Sequence, residues 1–136
     1  MSDDLQFPGV TAHLTIGDRR AQEAIAFYRT AFGAELLMDP HLADDGERIM
    51  HATLVINGSP VMLNDDFPEY GGGAGKPAAV TLHLQVDDAD AWFARALEAG
   101  ASETMPLADQ FWGDRYGQVT DPFGHRWSIG APATQD

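Results

Sequence analysis

The chain has 136 residues, 44 % hydrophobic and 21 % charged, enough for one domain with a core of its own. Its 21 acidic against 8 basic side chains give a formal charge of −13, a field that repels nucleic acid and anionic membrane. There is no cysteine to supply disulfides, thiolate ligands or a nucleophile, and no apolar run approaches the roughly 18 residues of a membrane helix.

The acidic start "MSDDLQFPGV" has neither the basic nor the apolar region of a signal peptide, so the expected location is cytoplasmic. A first strand, "TAHLTIGD" (11–18), leads into the helical segment "RRAQEAIAFYRTAFGAE". Asp18 is expected to cap that helix and Gly33 to end it, with Ile25, Tyr28 and Phe32 at helical spacing. Strand-like runs follow in "ELLMDP", "RIMHATLVI" and "PVMLNDD", with turns at "LADDGE" and "NGS". The glycine-rich "FPEYGGGAGKPA" is expected to be a flexible linker. Its "GGGAG" lacks the G-K-[ST] ending and the strand–helix setting of a phosphate loop.

The second half repeats the first. "TLHLQVDD" (81–88) shares the pattern T-x-H-L-x-aliphatic-x-D with the opening strand, 70 residues on. A helix over "ADAWFARALEAGAS" should start at Asp87 or Asp88 and end at Gly100, with Phe93, Ala96 and Leu97 at helical spacing. The strands "SETMPLAD", "YGQVTD" and "RWSIG" come next, with turns at "FWGD" and "DPFG". Each half reads strand, helix, three strands. The expected organisation is α+β within one domain: module one over about 8–66, a linker over about 67–79 and module two over about 80–131.

Strand side chains alternate between faces. Leu14 and Ile16, and Leu82, Leu84 and Val86, form apolar faces suited to packing under helices. Thr11, His13 and Thr15, and Thr81, His83 and Gln85, lie opposite, joined by His51 and Thr53, by Tyr116, Gln118 and Thr120, and by Arg126 and Ser128. Hydroxyls, amides and three histidines suit a cavity lining better than a solvated sheet face, which would carry more Lys and Glu.

The repeat, with "FYRTAFGAE", "VTLHLQVDDADA" and "MPLADQFWGDRYGQVTDPFGHRWSI", resembles the vicinal oxygen chelate superfamily. That group includes glyoxalase I, bleomycin- and fosfomycin-resistance proteins and extradiol dioxygenases; the wording is that of its PhnB-like branch. The resemblance implies two βαβββ modules forming a U-shaped eight-stranded mixed sheet around a cleft, usually within a homodimer. It also implies that the ligand positions of the metal-dependent members fall on Thr11, Thr81, Ser128 and Leu63. None of these is a strong ligand, so the usual metal site is expected to be absent, with no cofactor in the leading reading. Two residues further along stand His13 and His83, which with His51 and Asp65 leave open a displaced divalent-metal site.

In "TDPFG", Asp121, Pro122 and Gly124 suit a tight turn, with His125 outside the cleft. In "FWGDRY", Phe111, Trp112 and Tyr116 offer flat surfaces and Arg115 a fork for a carboxylate, phosphate or enolate, a candidate ligand wall. The alternative pairs Arg115 with a local aspartate. Three functions stay open. One is a small-molecule-binding protein that lacks the usual metal, like the drug-sequestering members whose acidic clefts hold cationic ligands. Another is a metal-dependent lyase, isomerase or dioxygenase using the displaced histidines. The third is metal-free acid–base catalysis by His13 or His83. Expected partners are a small-molecule ligand and a second copy of the chain, with neither nucleic acid nor membrane.

Overall fold

The structure, a computed structural model, describes residue 7, residues 9–71 and residues 75–133. In chain order the elements are β1 (His13–Ile16), α1 (Ala21–Phe32), β2 (Glu35–Leu36), β3 (His41–Leu42), β4 (Ile49–Ile56) and β5 (Ser59–Asp65). They continue with α2 (Pro68–Gly71), β6 (Thr81–Gln85), α3 (Ala89–Ala99), β7 (Ser102–Asp109), β8 (Asp114–Thr120) and β9 (Arg126–Pro132). The chain divides into two compact units, Met1–Arg29 with Gly33–Gly75, and Thr30–Phe32 with Lys76–Asp136.

The first unit holds a mixed sheet in the order β1-β5-β4-β2, with β3 also paired to β4. β1 runs parallel to β5, and β4 and β5 form a hairpin. The hairpin turns at Asn57 (φ 50°) and Gly58 (φ 83°), two left-handed residues in succession, which is what a tight two-residue hairpin turn demands. The expected strand "ELLMDP" survives only as Glu35–Leu36, with His41–Leu42 added as a short further strand. The linker segment opens with the single helical turn α2, against whose entry residue Phe67 the Arg48 guanidinium sits 4.4 Å from the ring centre; residues 72–74 lie outside the described residues.

The second unit repeats the plan as the sheet β6-β9-β8-β7, with β6 parallel to β9 and antiparallel pairing elsewhere. α3 packs on β7, β8 and β9. Both units thus run strand, helix, strands and are mixed in sheet direction, as the repeat predicts; the second is βαβββ, and the first adds the two-residue strand β3 to that plan.

Ile25, Tyr28 and Phe32 of α1 and Phe93 and Ala96 of α3 are buried, as their spacing requires. Each large apolar side chain so removed from water stabilises the fold by about 1.5–3 kcal/mol. Phe32 lies against Trp127, ring centres 4.8 Å apart. Gly33 ends α1 in the left-handed region (φ 67°), its N–H bonded back to the Arg29 carbonyl.

The two helix starts differ. Asp88 caps α3 as expected, its carboxylate accepting the Ala91 N–H at 3.1 Å. Asp18 does not cap α1: it lies at φ 60° and Arg20 is the residue before the helix. The cap comes from Asp65 at the end of β5, whose Oδ1 accepts the Ala21 N–H at 2.9 Å. A carboxylate that ends a strand of the same unit does the work of a local cap residue.

Candidate functional site

Strand pairing turns the face assignment into rows of neighbouring side chains. In the second unit, β6, β9 and β8 lie side by side, and paired residues share a face. One row is Thr81–Arg126–Thr120, the next is His83–Ser128–Gln118, and the third is Gln85–Gly130–Tyr116. The three rows contain no carboxylate, although the chain carries 21. The next row along, Asp114–Pro132, brings the first carboxylate, at the Trp112 indole.

His83 is the hub. Its Nδ1 lies 2.7 Å from the Ser128 Oγ and its Nε2 lies 2.8 Å from the Gln85 Oε1. With the Gln85 carbonyl turned to the ring, Nε2 is the donor to it; in the ring with one proton, Nδ1 then accepts the Ser128 hydroxyl hydrogen. Ser128 is 1 % exposed, so its hydroxyl needs that partner. The ring lies against Gly130, where a Cβ would stand 3.0 Å from the imidazole Cε1. It also stacks on Tyr116 at 5.8 Å and 19°.

The aromatic series continues. Trp112 stands edge-on to Tyr116 at 5.5 Å and Phe111 edge-on to Trp112 at 5.0 Å. Trp112 donates its indole N–H to Asp114 (3.2 Å), and Gln118 donates to the Tyr116 hydroxyl (3.1 Å). Trp112 is half-exposed, and Phe111, at the hairpin tip, is almost wholly exposed. Half-exposed aromatic surface beside amides and hydroxyls is the composition of a ligand wall.

The structure thus brings His83, Ser128, Tyr116, Trp112 and Phe111 into one contiguous series, with Thr81 at the start of β6. Arg115 does not join them. It occupies the opposite parity of β8, with Gly117 and Val119, and its guanidinium grips Asp90 of α3 at 3.0–3.1 Å and Asp109 of β7 at 3.2 Å. The hydrogen bonds it donates to those carboxylates raise its pKa above the ordinary arginine value. The fork expected to hold a ligand ties β8 to α3 and β7.

The first unit carries the corresponding face. His13 pairs with Met62 and Met62 with Thr53; Thr15 pairs with Asn64. His51 donates to or accepts from the Thr53 hydroxyl at 3.2 Å, and the His13 and His51 rings meet edge-on at 6.1 Å. His13 is exposed and forms no hydrogen bond among the described residues. Thr11 is half-buried, just ahead of β1. The Asn64 Oδ1 is buried without a donor, an acceptor that a ligand could satisfy.

The implied metal positions are tested by the same register. Ser128 pairs with His83, so its counterpart opposite His13 is Met62, not Leu63. Leu63 is fully buried on the other face. Thr11, Thr81, Ser128 and Met62 do not form a donor set for a divalent metal. Asp65 is also removed from the displaced set, because its two oxygens are taken by the N–H groups of Ala21 and Ile49 (2.9 and 2.7 Å). Among the described residues no group of three or more His, Asp or Glu side chains is placed to hold a metal ion.

Around "DPFG" the sequence reading holds: Asp121 Oδ1 accepts the N–H of Phe123 and of His125, and its Oδ2 accepts the Trp127 indole N–H at 2.9 Å.

These two mixed sheets, with an organised polar and aromatic face, define a class. Residues 11–129 match the model of the Glyoxalase/Bleomycin resistance protein/Dioxygenase superfamily, and the chain belongs to that family. It is 50 % identical to the uncharacterized protein Rv0887c of Mycobacterium tuberculosis, over 94 % of this chain and 76 % of the relative. Its fold is similar to protein PA1353 from Pseudomonas aeruginosa, with TM-score 0.72 and 29 % identity over 90 % of this chain and 96 % of the other. A PhnB protein from Bacillus cereus, at 20 % identity, shares the fold (TM-score 0.71; 91 % and 99 % covered). Among the described residues no helix is long and apolar enough to cross a membrane.

Proposed function

We propose that the protein binds a small organic molecule on the polar faces of its sheets and does so without the metal of its metal-dependent relatives. The observation that carries this is the series His83–Tyr116–Trp112. Here a histidine held by Ser128 and Gln85 stacks on one ring of an aromatic wall that reaches solvent. Such a wall supplies flat apolar area, and the amides and hydroxyls beside it fix orientation. Assembly as a homodimer in the cytoplasm belongs to the same reading and is checked by light scattering and fractionation.

The test is a thermal-shift screen of organic ligands on metal-free protein, repeated with chelator and with Trp112→Ala and Tyr116→Ala. Stabilising ligands that survive chelator and are lost in both variants support the reading. Ligands that stabilise only after a metal is restored overturn it.

A second reading rests on the 6.1 Å approach of His13 and His51 and on the donorless Asn64 oxygen, whose residue pairs with Thr15 on the His13 face. Two imidazoles fall one short of the three protein ligands a catalytic zinc keeps. With His13 unbonded, metal-free acid–base chemistry is the form of catalysis this face supports. Elemental analysis of protein purified without chelator separates the two: a stoichiometric metal lost in His13→Ala favours a displaced metal centre.

A further inference from the structure

The binding face of the second unit has a direction along its strands. At the end where β6 and β9 begin, Arg126 stands exposed in a row with Thr81, Thr120 and, through β7, Ser102, and Thr104 joins by its 2.6 Å hydroxyl contact with Thr120. Arg126 has no ion pair and no hydrogen bond among the described residues. It shares that state with Arg29, on the outer surface of α1, and differs from the other five arginines. Arg19, Arg20, Arg48 and Arg115 each hold a carboxylate, and Arg95 holds the Thr30 carbonyl. With 21 acidic residues available, none is placed on the rows beside Arg126.

The other end of the face is aromatic, at Tyr116 and Trp112. Between the ends lie His83, Ser128 and Gln118. Arg126 and Gly130, which sits beside Tyr116, are four positions apart on β9. At a rise of about 3.3 Å per residue the two ends are separated by roughly 13 Å.

We propose that this face takes an elongated aromatic anion. Its flat end lies on Tyr116 and Trp112, and its carboxylate, sulfonate or phosphate lies on Arg126 among the hydroxyls of Thr81, Thr120 and Ser102. The proposal rests on the small-molecule-binding reading above and gives it a ligand class. A planar fork with five N–H donors is suited to an oxyanion, and neighbouring hydroxyls supply further donors. The sequence offered Arg115 for this role. Arg115 is on the other face and already paired, whereas Arg126 is on the binding face and open. The overall charge of −13 works against anions at long range, so preference for an anion here must come from the local group.

The experiment is fluorescence titration at physiological ionic strength with two probes. One is toluidinonaphthalene sulfonate, an elongated aryl sulfonate; the other is its neutral counterpart without the sulfonate, tolyl naphthylamine. The proteins are wild type, Arg126→Gln, Trp112→Ala and Arg29→Gln. The last makes the same charge change at an exposed site on α1.

Wild type is expected to hold the sulfonate more tightly than the neutral probe. Arg126→Gln should weaken the sulfonate about tenfold and leave the neutral probe unchanged, while Arg29→Gln leaves both unchanged and Trp112→Ala weakens both. If Arg126→Gln has no more effect than Arg29→Gln while Trp112→Ala still weakens both probes, the anion subsite is overturned and the aromatic wall stands. If Trp112→Ala changes neither probe, or neither binds, the wall itself is overturned and the subsite with it.

Discussion

The carboxylate of Asp65 is hydrogen-bonded to the backbone of Ala21, 44 residues earlier, at 2.9 Å. Its second oxygen accepts the Ile49 N–H at 2.7 Å, and the side chain is 1 % exposed. One buried group therefore closes the first turn of α1 and fixes the start of β4. Asp65→Ala leaves two N–H donors without partners and should cost about 2–4 kcal/mol in urea unfolding. Asp65→Asn keeps one acceptor but sets an NH2 group against the other N–H, and should cost most of the same. A loss below about 1 kcal/mol for Asp65→Ala would return Asp65 to the candidate ligands.

Two glycines on neighbouring strands make a contrast that separates packing from function. At Gly117 a Cβ would lie 2.8 Å from the Leu107 Cα, 2.9 Å from its N and 2.9 Å from the Phe93 ring. At Gly130 it would meet the His83 ring at 3.0 Å and Tyr116 at 3.5 Å, both side chains that can yield. Gly117→Ala should destabilise by about 1–3 kcal/mol through backbone displacement. Gly130→Ala should cost less stability, yet lift His83 away from Ser128 and lower ligand affinity. Paired unfolding and binding curves check it; equal effects on both quantities in both variants would remove Gly130 from the site.

The polar face was legible in the sequence because its signal is local. Thr81, His83 and Gln85 alternate with Leu82 and Leu84, and period two fixes the face without knowledge of any partner. The same rule places Arg115 with Gly117 and Val119. The expected strand "YGQVTD" begins at Tyr116 and leaves Arg115 outside the alternation, whereas β8 begins at Asp114 and settles the alternative in favour of pairing with local aspartates. Register is another matter. Whether Leu63 or Met62 stands opposite His13 depends on how β1 and β5 align, which no residue type in either strand declares. The Asp65 cap was hidden for the same reason, since Asp18 lies where a local cap belongs and Asp65 lies 44 residues away.

Arg48 joins Asp45 (2.8 Å) and Glu69 (2.7 Å) at the surface of the first unit. Hydrogen bonds from its guanidinium hold both carboxyls below their ordinary values of 3.8 and 4.5, with backbone N–H groups of Glu47 and Arg48 adding to the effect on Asp45. A folded value below the unfolded one means that the stabilisation is present above the ordinary carboxylate range and is lost as pH falls through the folded values. Stability should therefore decline with acidification below about pH 4.5, more steeply in wild type than in Arg48→Gln. Urea midpoints across that range read the difference, and identical slopes would show that the network makes no net contribution, as for many surface pairs.

His83 offers the sharpest check on whether the face binds or catalyses. Its contacts with Gln85 Oε1 and Ser128 Oγ select the tautomer with the proton on Nε2 and leave Nδ1 committed to a buried hydroxyl. A ring so held is a positioned contact surface; to act as a general base it must first shed one of these partners. Nitrogen NMR of the histidine ring should show the Nε2–H tautomer in wild type. Ser128→Ala, at a cost of about 1 kcal/mol, removes the donor to Nδ1 and should free the ring. In the binding reading Ser128→Ala loosens the ligand. In the acid–base reading it leaves binding intact and alters the pH dependence of turnover, because the base has been released.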